Sequence, residues 1–205
     1  QNNLKRRLAY STVSQVSYIA LGAVVIAPLA TIGGLAHLVH QGIMKITLFF
    51  CAGIMAKTRD IHDIDQMNGL GQSMPLTMAL FTIASLGMIG VPPVAGFVSK
   101  WYLAAGGIQA GEHWVVWLLI VSSALNAGYF LPILHAAWFK SAPQPQATGS
   151  SPSPSRAWKI EAPWSLLLPA LITALFCLGA GIFAGWAWSP LGLAEQIVFG
   201  REGGP

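Results

Sequence analysis

The sequence predicts an all-α, polytopic membrane protein of about five transmembrane helices, the third of them broken at Gly90, Pro92 and Pro93. Three observations lead to this fold class. Hydrophobic residues make up 54% of the 205-residue chain and charged residues only 9%, which leaves too little polar surface to cover a soluble globule. Five apolar runs are each long enough to cross about 30 Å of hydrocarbon as a helix. A Gly-Val-Pro-Pro sequence interrupts the third run.

The five apolar runs cover residues 8–29, 31–56, 74–108, 113–139 and 164–188. The third is too long for one straight span, because about 35 helical residues would reach roughly 50 Å. Pro92 and Pro93 lack backbone donors, and a proline disfavours helical geometry at the residue before it. We therefore expect two half-helices joined by unwound backbone, a feature typical of ion sites in transporters.

The basic residues predict how the spans are oriented. In this topology one end carries nearly all of them and the other end only Arg201; the first group is Lys5, Arg6, Arg7, Lys57, Arg59, Lys140, Arg156 and Lys159. The positive-inside rule makes that end cytoplasmic. The net charge of +4 also raises the question of nucleic acid. No basic patch is interleaved with aromatic side chains, however, so we expect no nucleic-acid partner.

The chain divides into three parts in this interpretation. Residues 1–141 form the core translocation helices, with four spans that include the broken one. Residues 142–163 begin with a Pro- and Ser-rich sequence that cannot bury enough apolar surface to fold, which predicts a flexible cytoplasmic loop. Residues 164–205 hold the last transmembrane helix and a tail, and we expect residues 191–199 of that tail in the outer interface. Because Gln1 rather than Met opens the chain, we expect an internal fragment.

Two lysines fall inside apolar runs and are the main candidates for function. Lys45 lies near the middle of the second run, where a charge costs at least ~3 kcal/mol on membrane-insertion scales and is taken as functional by default. Lys100 lies about two helical turns beyond the break, and broken spans with charged residues are typical of transporter ion sites. A lysine near a helix end can also extend its amine to the interface, and for Lys100 this alternative stays open.

A polar stripe accompanies Lys45 on the second run. His37, Gln41 and Lys45 are spaced four residues apart on one helix face, with His40 on the flank. Successive side chains stand about 6 Å apart along the axis, so one water between each pair would complete a hydrogen-bonded chain. Because histidine titrates near neutrality, the stripe indicates a proton relay supported by Gln41. The alternative is that both histidines are core residues hydrogen-bonded to neighbouring helices.

The first run carries a second polar column in its cytoplasmic half. Tyr10, Ser14 and Tyr18 follow helical spacing, and Ser11 and Gln15 lie beside them. We predict that Ser14 and Tyr18 support a water path leading from the cytoplasm. Hydrogen bonds between helices explain the same residues at least as well.

The acidic residues are informative by their positions. All seven lie in loops, in the tail or at membrane edges, so neither Lys45 nor Lys100 is expected to have a deeply buried carboxylate partner in this chain. Buried ammonium groups need compensation, which we expect from neutral lysine forms together with charges outside this chain. No nucleophile, metal cluster or phosphate loop is apparent in the exposed segments. We therefore expect no cofactor, no metal and no enzyme activity of the chain by itself.

Three motifs in order resemble those of a known family. Residues 4–15 (LKRRLAYSTVSQ), 37–50 (HLVHQGIMKITLFF) and 90–100 (GVPPVAGFVSK) resemble motifs of the antiporter-like, proton-translocating membrane subunits. This family is shared by respiratory complex I, membrane-bound hydrogenases and Mrp-type cation/proton antiporters. Its chains are considerably longer and begin with an inverted-repeat half that has no counterpart here.

The resemblance implies a role for each matching residue. Lys45 would be the lysine of the central proton relay, and Lys100 the charged residue of the broken helix that connects the relay to an exit. His37 and His40 would be relay or gate histidines. Gln41 departs from the family pattern, which often has a second histidine four residues before the lysine. Glutamine can hold a water but cannot take up a proton, so the path would use His40 or water.

The resemblance also implies the setting. We expect an integral, multi-pass subunit of a hetero-oligomeric complex in a bacterial plasma (inner) membrane, moving protons and exchanging Na⁺ or K⁺. The D-type subunit of an Mrp-type Na⁺/H⁺ antiporter is the first hypothesis. A proton-pumping subunit of a complex I-type NADH:quinone oxidoreductase or of a membrane-bound hydrogenase is the second. A non-conducting structural subunit is the third.

Overall fold

The computed structural model describes residues 1–141 and 161–200. Within them it contains eight α-helices and a 3₁₀ helix: α1 (Leu4–Val24), α2 (Pro28–Arg59), the 3₁₀ helix (Ile64–Met67), α3 (Leu70–Ser73), α4 (Pro75–Ile89), α5 (Ala95–Gln109), α6 (Trp114–Phe139), α7 (Trp164–Ile182) and α8 (Pro190–Phe199). No β-strand occurs in these two ranges, so the all-α prediction is confirmed. The predicted loop lies outside them except for residues 161–163, and so do residues 201–205 of the tail.

The prediction of a polytopic membrane protein is also confirmed. Helices α2, α6 and α7 are long and apolar enough to cross a membrane, and α4 is a shorter apolar helix. Helix α1 has 21 residues but is less apolar, because basic, tyrosine, serine and glutamine residues interrupt it. Large apolar side chains on α6 and α7 are exposed, among them Trp117, Leu125, Phe176 and Ile182. Lipid or neighbouring subunits would cover such a surface.

Contacts at the helix ends show that successive spans run in alternate directions, with α4 and α5 counted together as one span. At one end, an isolated β-bridge pairs Asn3 with Asp63, and the Gly69 amide donates to the Ala136 carbonyl over 3.0 Å. At the opposite end, Val25 and Val115 share one apolar cluster. The first end carries the described basic residues of the predicted cytoplasmic side, which are Lys5, Arg6, Arg7, Lys57, Arg59 and Lys140.

The predicted break in the third span is present. Helix α4 ends at Ile89, and α5 begins at Ala95, with Pro92 and Pro93 in the connection. Gly90 caps α4 in the left-handed conformation, with a φ of 94° that side-chain-bearing residues rarely adopt. The long third run therefore forms two half-helices, α4 and α5, as the two prolines predict.

Helix α2 is the centre of the fold and packs against α1, α4, α5, α7 and α8. Its Met44 and Leu48 are fully buried in the largest apolar cluster, together with Phe81 of α4 and Phe130 of α6. Most of one face of α2 is therefore inside protein, which is why this helix can hold polar residues at membrane depth.

The last span is shorter than its apolar run suggests. Helix α7 ends at Ile182, six residues before the predicted end, and α8 follows after a turn. The Ser189 hydroxyl caps α8 by accepting the Gly192 amide over 2.9 Å. Leu191 of α8 is buried against Ile32 of α2. The tail segment expected in the outer interface thus packs on the central helix along one of its faces.

Candidate functional site

Lys45 lies on α2 with its amine inside the helix bundle, and the side chain is 6% exposed. The Nζ atom donates to the Leu8 carbonyl over 2.8 Å and also to the Ser11 hydroxyl. Both partners belong to the first three turns of α1. The structure therefore surrounds this amine with neutral oxygen atoms of the neighbouring helix.

Lys100 lies on α5, and its amine binds the end of α4. Nζ donates to the carbonyls of Met88 and Ile89 over 3.1 and 2.9 Å, and to the Ser123 hydroxyl over 3.1 Å. The last carbonyls of a helix have no intrahelical partner and carry the negative end of its dipole. The break after Ile89 thus creates the acceptor site that the Lys100 ammonium occupies. The predicted alternative, an amine extended to the interface, is not the geometry observed.

His37 is fully buried and has a partner on each ring nitrogen. Nδ1 lies 2.8 Å from the Ser99 hydroxyl of α5, and Nε2 lies 3.2 Å from Oε1 of Gln15 on α1. The edge of the imidazole also meets the ring of Tyr18, with centroids 5.1 Å apart. His37 therefore links α1 to the residue that directly precedes Lys100.

His40 and Gln41 are buried as well, but several of their polar atoms have no partner in the described part of the chain. Both ring nitrogens of His40 and Oε1 of Gln41 lack a hydrogen-bond partner there. The Ser85 hydroxyl of α4 also lacks one in the described residues. Buried polar groups without a hydrogen bond cost roughly 1–3 kcal/mol each. Such groups usually bond to ordered water, which makes these three residues candidates for a hydrated region.

A polar network joins His37 to α6. Nε2 of Gln15 donates to Oδ1 of Asn126 over 3.4 Å, and Nδ2 of Asn126 donates to the Tyr18 hydroxyl over 3.3 Å. The Tyr18 hydroxyl also bonds to Ser122. Sequence patterns alone favour a packing role for Asn126 and do not single out the serines of α6. The available signal is that Ser122, Ser123 and Asn126 are polar side chains close together on one face of an apolar helix.

The polar residues singled out on the first helix are divided between a buried and an exposed face. Ser11, Gln15 and Tyr18 are buried, whereas Tyr10 and Ser14 are exposed. Ser14 lines a groove of about 480 Å³ between α1 and α6, with Tyr18 and Ser122 also in its wall. The structure therefore places Tyr18 in the site and Ser14 beside it, and brings Ser11 to Lys45.

Within the described part of the chain, carboxylates do not meet either intramembrane lysine. Among residues 1–141 and 161–200, the one close contact between a carboxylate and a basic side chain joins the His62 imidazole to Asp60 at 3.1 Å, on the surface. The Glu161 carboxylate is used elsewhere, where it accepts the backbone amides of Leu76 and Thr77 at the start of α4. Lys45 and Lys100 thus rely on neutral oxygen atoms in these two ranges.

The helices that hold this site match a known family. Residues 1–126, which include Lys45, Lys100 and the break, match the family described as NADH:quinone oxidoreductase/Mrp antiporter, TM. The chain belongs to this family. The motif resemblance is confirmed, and the fold is that of an antiporter-like membrane subunit of the Mrp and complex I type.

Relatives of both types match this member of the family. The N subunit of an NADH-quinone oxidoreductase from Desulforudis audaxviator is 41% identical over 185 residues, which cover 89% of this chain and 37% of the relative. The D-type subunit of an Na⁺/H⁺ antiporter from Bacillus subtilis is 28% identical over 202 residues, which cover 98% of this chain and 39% of the relative. The chain therefore spans less than two fifths of either relative.

Solved structures of both types share the fold. A chain of the Mrp complex from a Dietzia species matches with a TM-score of 0.81 and 22% identity, covering 97% of this chain and 43% of that one. A chain of respiratory complex I from Thermus thermophilus with bound NADH matches with a TM-score of 0.74 and 26% identity, covering 99% and 41%. Both matched chains are parts of larger complexes.

Proposed function

We propose that this chain is the proton-conducting part of a larger translocating subunit, in which Lys45 and Lys100 take up and release protons inside the membrane. The observation that carries the proposal is the set of partners of the two amines. Among the described residues, each Nζ is buried and bound by carbonyl and hydroxyl oxygens without a carboxylate. A lysine held in this way can lose its proton without leaving a buried carboxylate unpaired.

The region around His37 and His40 supplies the connection between the two lysines in this proposal. His37 contacts Ser99, which directly precedes Lys100 along α5. Within the described ranges, His40, Gln41 and Ser85 have polar atoms free to bind water. Protons would move between titratable groups through such waters, with Gln41 holding a water and not taking up a proton itself.

In this proposal the charges of Lys45 and Lys100 are coupled because the protein interior has a low dielectric constant. A charge that appears on one amine raises the free energy of a second charge nearby far more than it would in water. A change in charge outside this chain would therefore shift the protonation of Lys100 and then of Lys45. This gives a mechanism of translocation that needs no covalent chemistry at the site beyond proton transfer.

Two assemblies fit the proposal. The 41% identity to the N subunit of an NADH-quinone oxidoreductase favours a redox-driven, complex I-type assembly. The Mrp-type antiporter, the first hypothesis from the sequence, is the second candidate and is favoured by the match over 98% of the chain to the D-type subunit of an Na⁺/H⁺ antiporter. Only the antiporter would exchange Na⁺ or K⁺. In either case we place the protein in a bacterial plasma (inner) membrane, with the basic end of the helices cytoplasmic.

The test is proton flux in inverted membrane vesicles that carry the full-length native complex. Flux is started with NADH in one experiment and with Na⁺ or K⁺ in another, and the driving substrate that works identifies the assembly. We expect Lys45→Ala to reduce flux at least about tenfold, which corresponds to about 1.4 kcal/mol on the barrier. Lys57→Ala is the matched control, since this exposed lysine lies on the same helix.

Assembly is checked in the same preparation by the yield of co-purified subunits. Full flux from a fully assembled Lys45→Ala complex would contradict the relay. That result would support the non-conducting structural subunit, in which the buried lysines serve assembly.

A further inference from the structure

One side of His37 is connected to a backbone carbonyl through two side-chain amides. Asn126 Nδ2 lies 2.9 Å from the Ser122 carbonyl oxygen, and Oδ1 of the same amide lies 3.4 Å from Nε2 of Gln15. Oε1 of Gln15 then lies 3.2 Å from Nε2 of His37. All three side chains are buried and are at most 7% exposed.

The acceptor at the end of this chain fixes the direction of every bond in it. A backbone carbonyl accepts hydrogen bonds and cannot donate, so the atom of Asn126 that faces Ser122 must be the NH₂ group. The oxygen of Asn126 then faces Gln15, which must present its own NH₂ group. The oxygen of Gln15 is left facing His37. Turning either amide over would place two oxygen atoms against each other, so the assignment follows from the network and not from the appearance of the amides.

We infer that Asn126, acting through Gln15, fixes neutral His37 in the tautomer that carries its hydrogen on Nε2, so that Nδ1 is the atom that gains and loses the proton. Both residues are positioning residues, because they act on the imidazole and not on a transported ion. The tautomer itself is a property of the network. Only the part that Nδ1 plays in transport rests on the proposed function.

The partner on the other side of the ring is suited to an atom that changes its protonation. The Ser99 hydroxyl lies 2.8 Å from Nδ1 and 3.3 Å from the Gly96 carbonyl. With neutral His37, the hydroxyl donates to the lone pair of Nδ1. With a proton on Nδ1, the ring donates to the serine oxygen, and the serine hydrogen can turn to the Gly96 carbonyl. One hydroxyl rotation thus satisfies both forms without moving a helix.

In this arrangement a transported proton would bind to and leave His37 at Nδ1. Nδ1 faces α5, the helix of Ser99 and Lys100, whereas the Gln15 side is held by a fixed hydrogen. We therefore expect exchange between His37 and the region of Lys100 to pass by Ser99. Exchange through Gln15 would require both amides to rotate together.

The test uses the full-length protein in lipid bilayers, with ¹⁵N-labelled histidine and solid-state NMR. The His37 signals are identified by their loss in His37→Gln. In the unaltered protein at high pH, we expect a one-bond coupling to hydrogen at Nε2 and none at Nδ1. A coupling at Nδ1 with a bare Nε2 would overturn the inference.

Two variants test the two amides separately. Gln15→Met removes the acceptor for Nε2, and Asn126→Leu removes the group that orients Gln15; in both we expect a mixture of tautomers, with loss of the single Nε2 coupling. Unchanged spectra in Gln15→Met or Asn126→Leu would contradict the assigned role. Ser17→Ala is the control, since this exposed serine bonds only within α1.

The spectra separate this inference from the proposed function. They report the tautomer of His37 whether or not the complex moves protons. Full flux in the Lys45→Ala complex would therefore reject the relay without changing the spectra expected here. Conversely, Lys45→Ala could lose flux as the relay predicts while the spectra show the other tautomer at His37. That combination would reject this inference and leave the proposed function standing.

Discussion

The Lys100 ammonium lies over the face of the Tyr18 ring, 5.0 Å from its centroid. The two residues come from different helices, α5 and α1, and the same aromatic ring meets His37 with its edge. A cation over an aromatic face is stabilised by the negative potential of the ring. Tyr18 is therefore the one side chain in the described ranges that contacts both a predicted relay histidine and a predicted relay lysine through its ring.

Replacing Tyr18 should separate the contribution of the ring from that of its hydroxyl. Tyr18→Phe keeps the aromatic face under Lys100 and removes the bonds to Ser122 and Asn126, which we expect to cost about 1 kcal/mol. Tyr18→Leu also removes the cation–π contact, which contributes about 0.5–2 kcal/mol. We expect the order wild type, Tyr18→Phe, Tyr18→Leu in both thermal stability and proton flux of the assembled complex. Equal flux in the two variants would show that the ring under Lys100 has no effect.

Gly90 should be sensitive to substitution for two reasons, its backbone conformation and its contact with Lys100. Its φ is 94°, and an added Cβ would lie 3.0 Å from Cδ of Lys100. Gly90→Ala should therefore cost roughly 1–3 kcal/mol of stability and displace the amine from the α4 carbonyls. Stability is measured by thermal unfolding, and function by flux in vesicles.

Gly111→Ala is the matched control for Gly90→Ala. Gly111 also has a positive φ, 77°, but an added Cβ would meet nothing within 4 Å. We expect a similar loss of stability with normal flux. If the two variants reduce flux equally, the effect of Gly90→Ala comes from backbone strain and not from Lys100.

Glu161 should stabilise the start of the broken span. Its carboxylate accepts the amides of Leu76 and Thr77 over 2.6 and 2.9 Å, and the Thr77 hydroxyl over 3.0 Å. Acceptors at a helix N-terminus contribute about 0.5–2 kcal/mol. We expect Glu161→Ala to lower the unfolding temperature and Glu161→Gln to lower it less, because an amide oxygen can still accept one amide. Identical unfolding temperatures for Glu161→Ala and the unaltered protein would contradict this role.

The fold class is predictable from the sequence because its signals are local. Pro92 and Pro93 break a helix in any context, and a long apolar run with few charges is costly to expose to water. The apolar pattern overestimates the last span, since Trp186 and Trp188 continue a pattern that ends structurally at Ile182. The turn there depends on the packing of α8 against α2, which hydropathy along the chain does not reveal.

The candidate site is predictable only in part. Lys45, His37 and His40 stand out because a lysine or histidine inside an apolar run is recognisable from that run alone. Ser99, the partner of His37, does not stand out, since serine is common in membrane helices and this one has no distinctive spacing. Ser11 is part of a polar column, but that pattern does not connect it with Lys45. The roles of all these residues in transport stay predictions until flux is measured.

By itself, the sequence determined that the chain is helical and membrane-embedded, that the third span is interrupted, and that two lysines lie inside apolar runs. Each of these follows from residue type and spacing along one helix. Only the tertiary structure decided which face of α1 is buried, that the end of α4 receives the Lys100 amine, and that Asn126 is connected to His37. The last of these relations joins residues about 90 positions apart in the chain, and all of them depend on how helices pack, which no local pattern specifies.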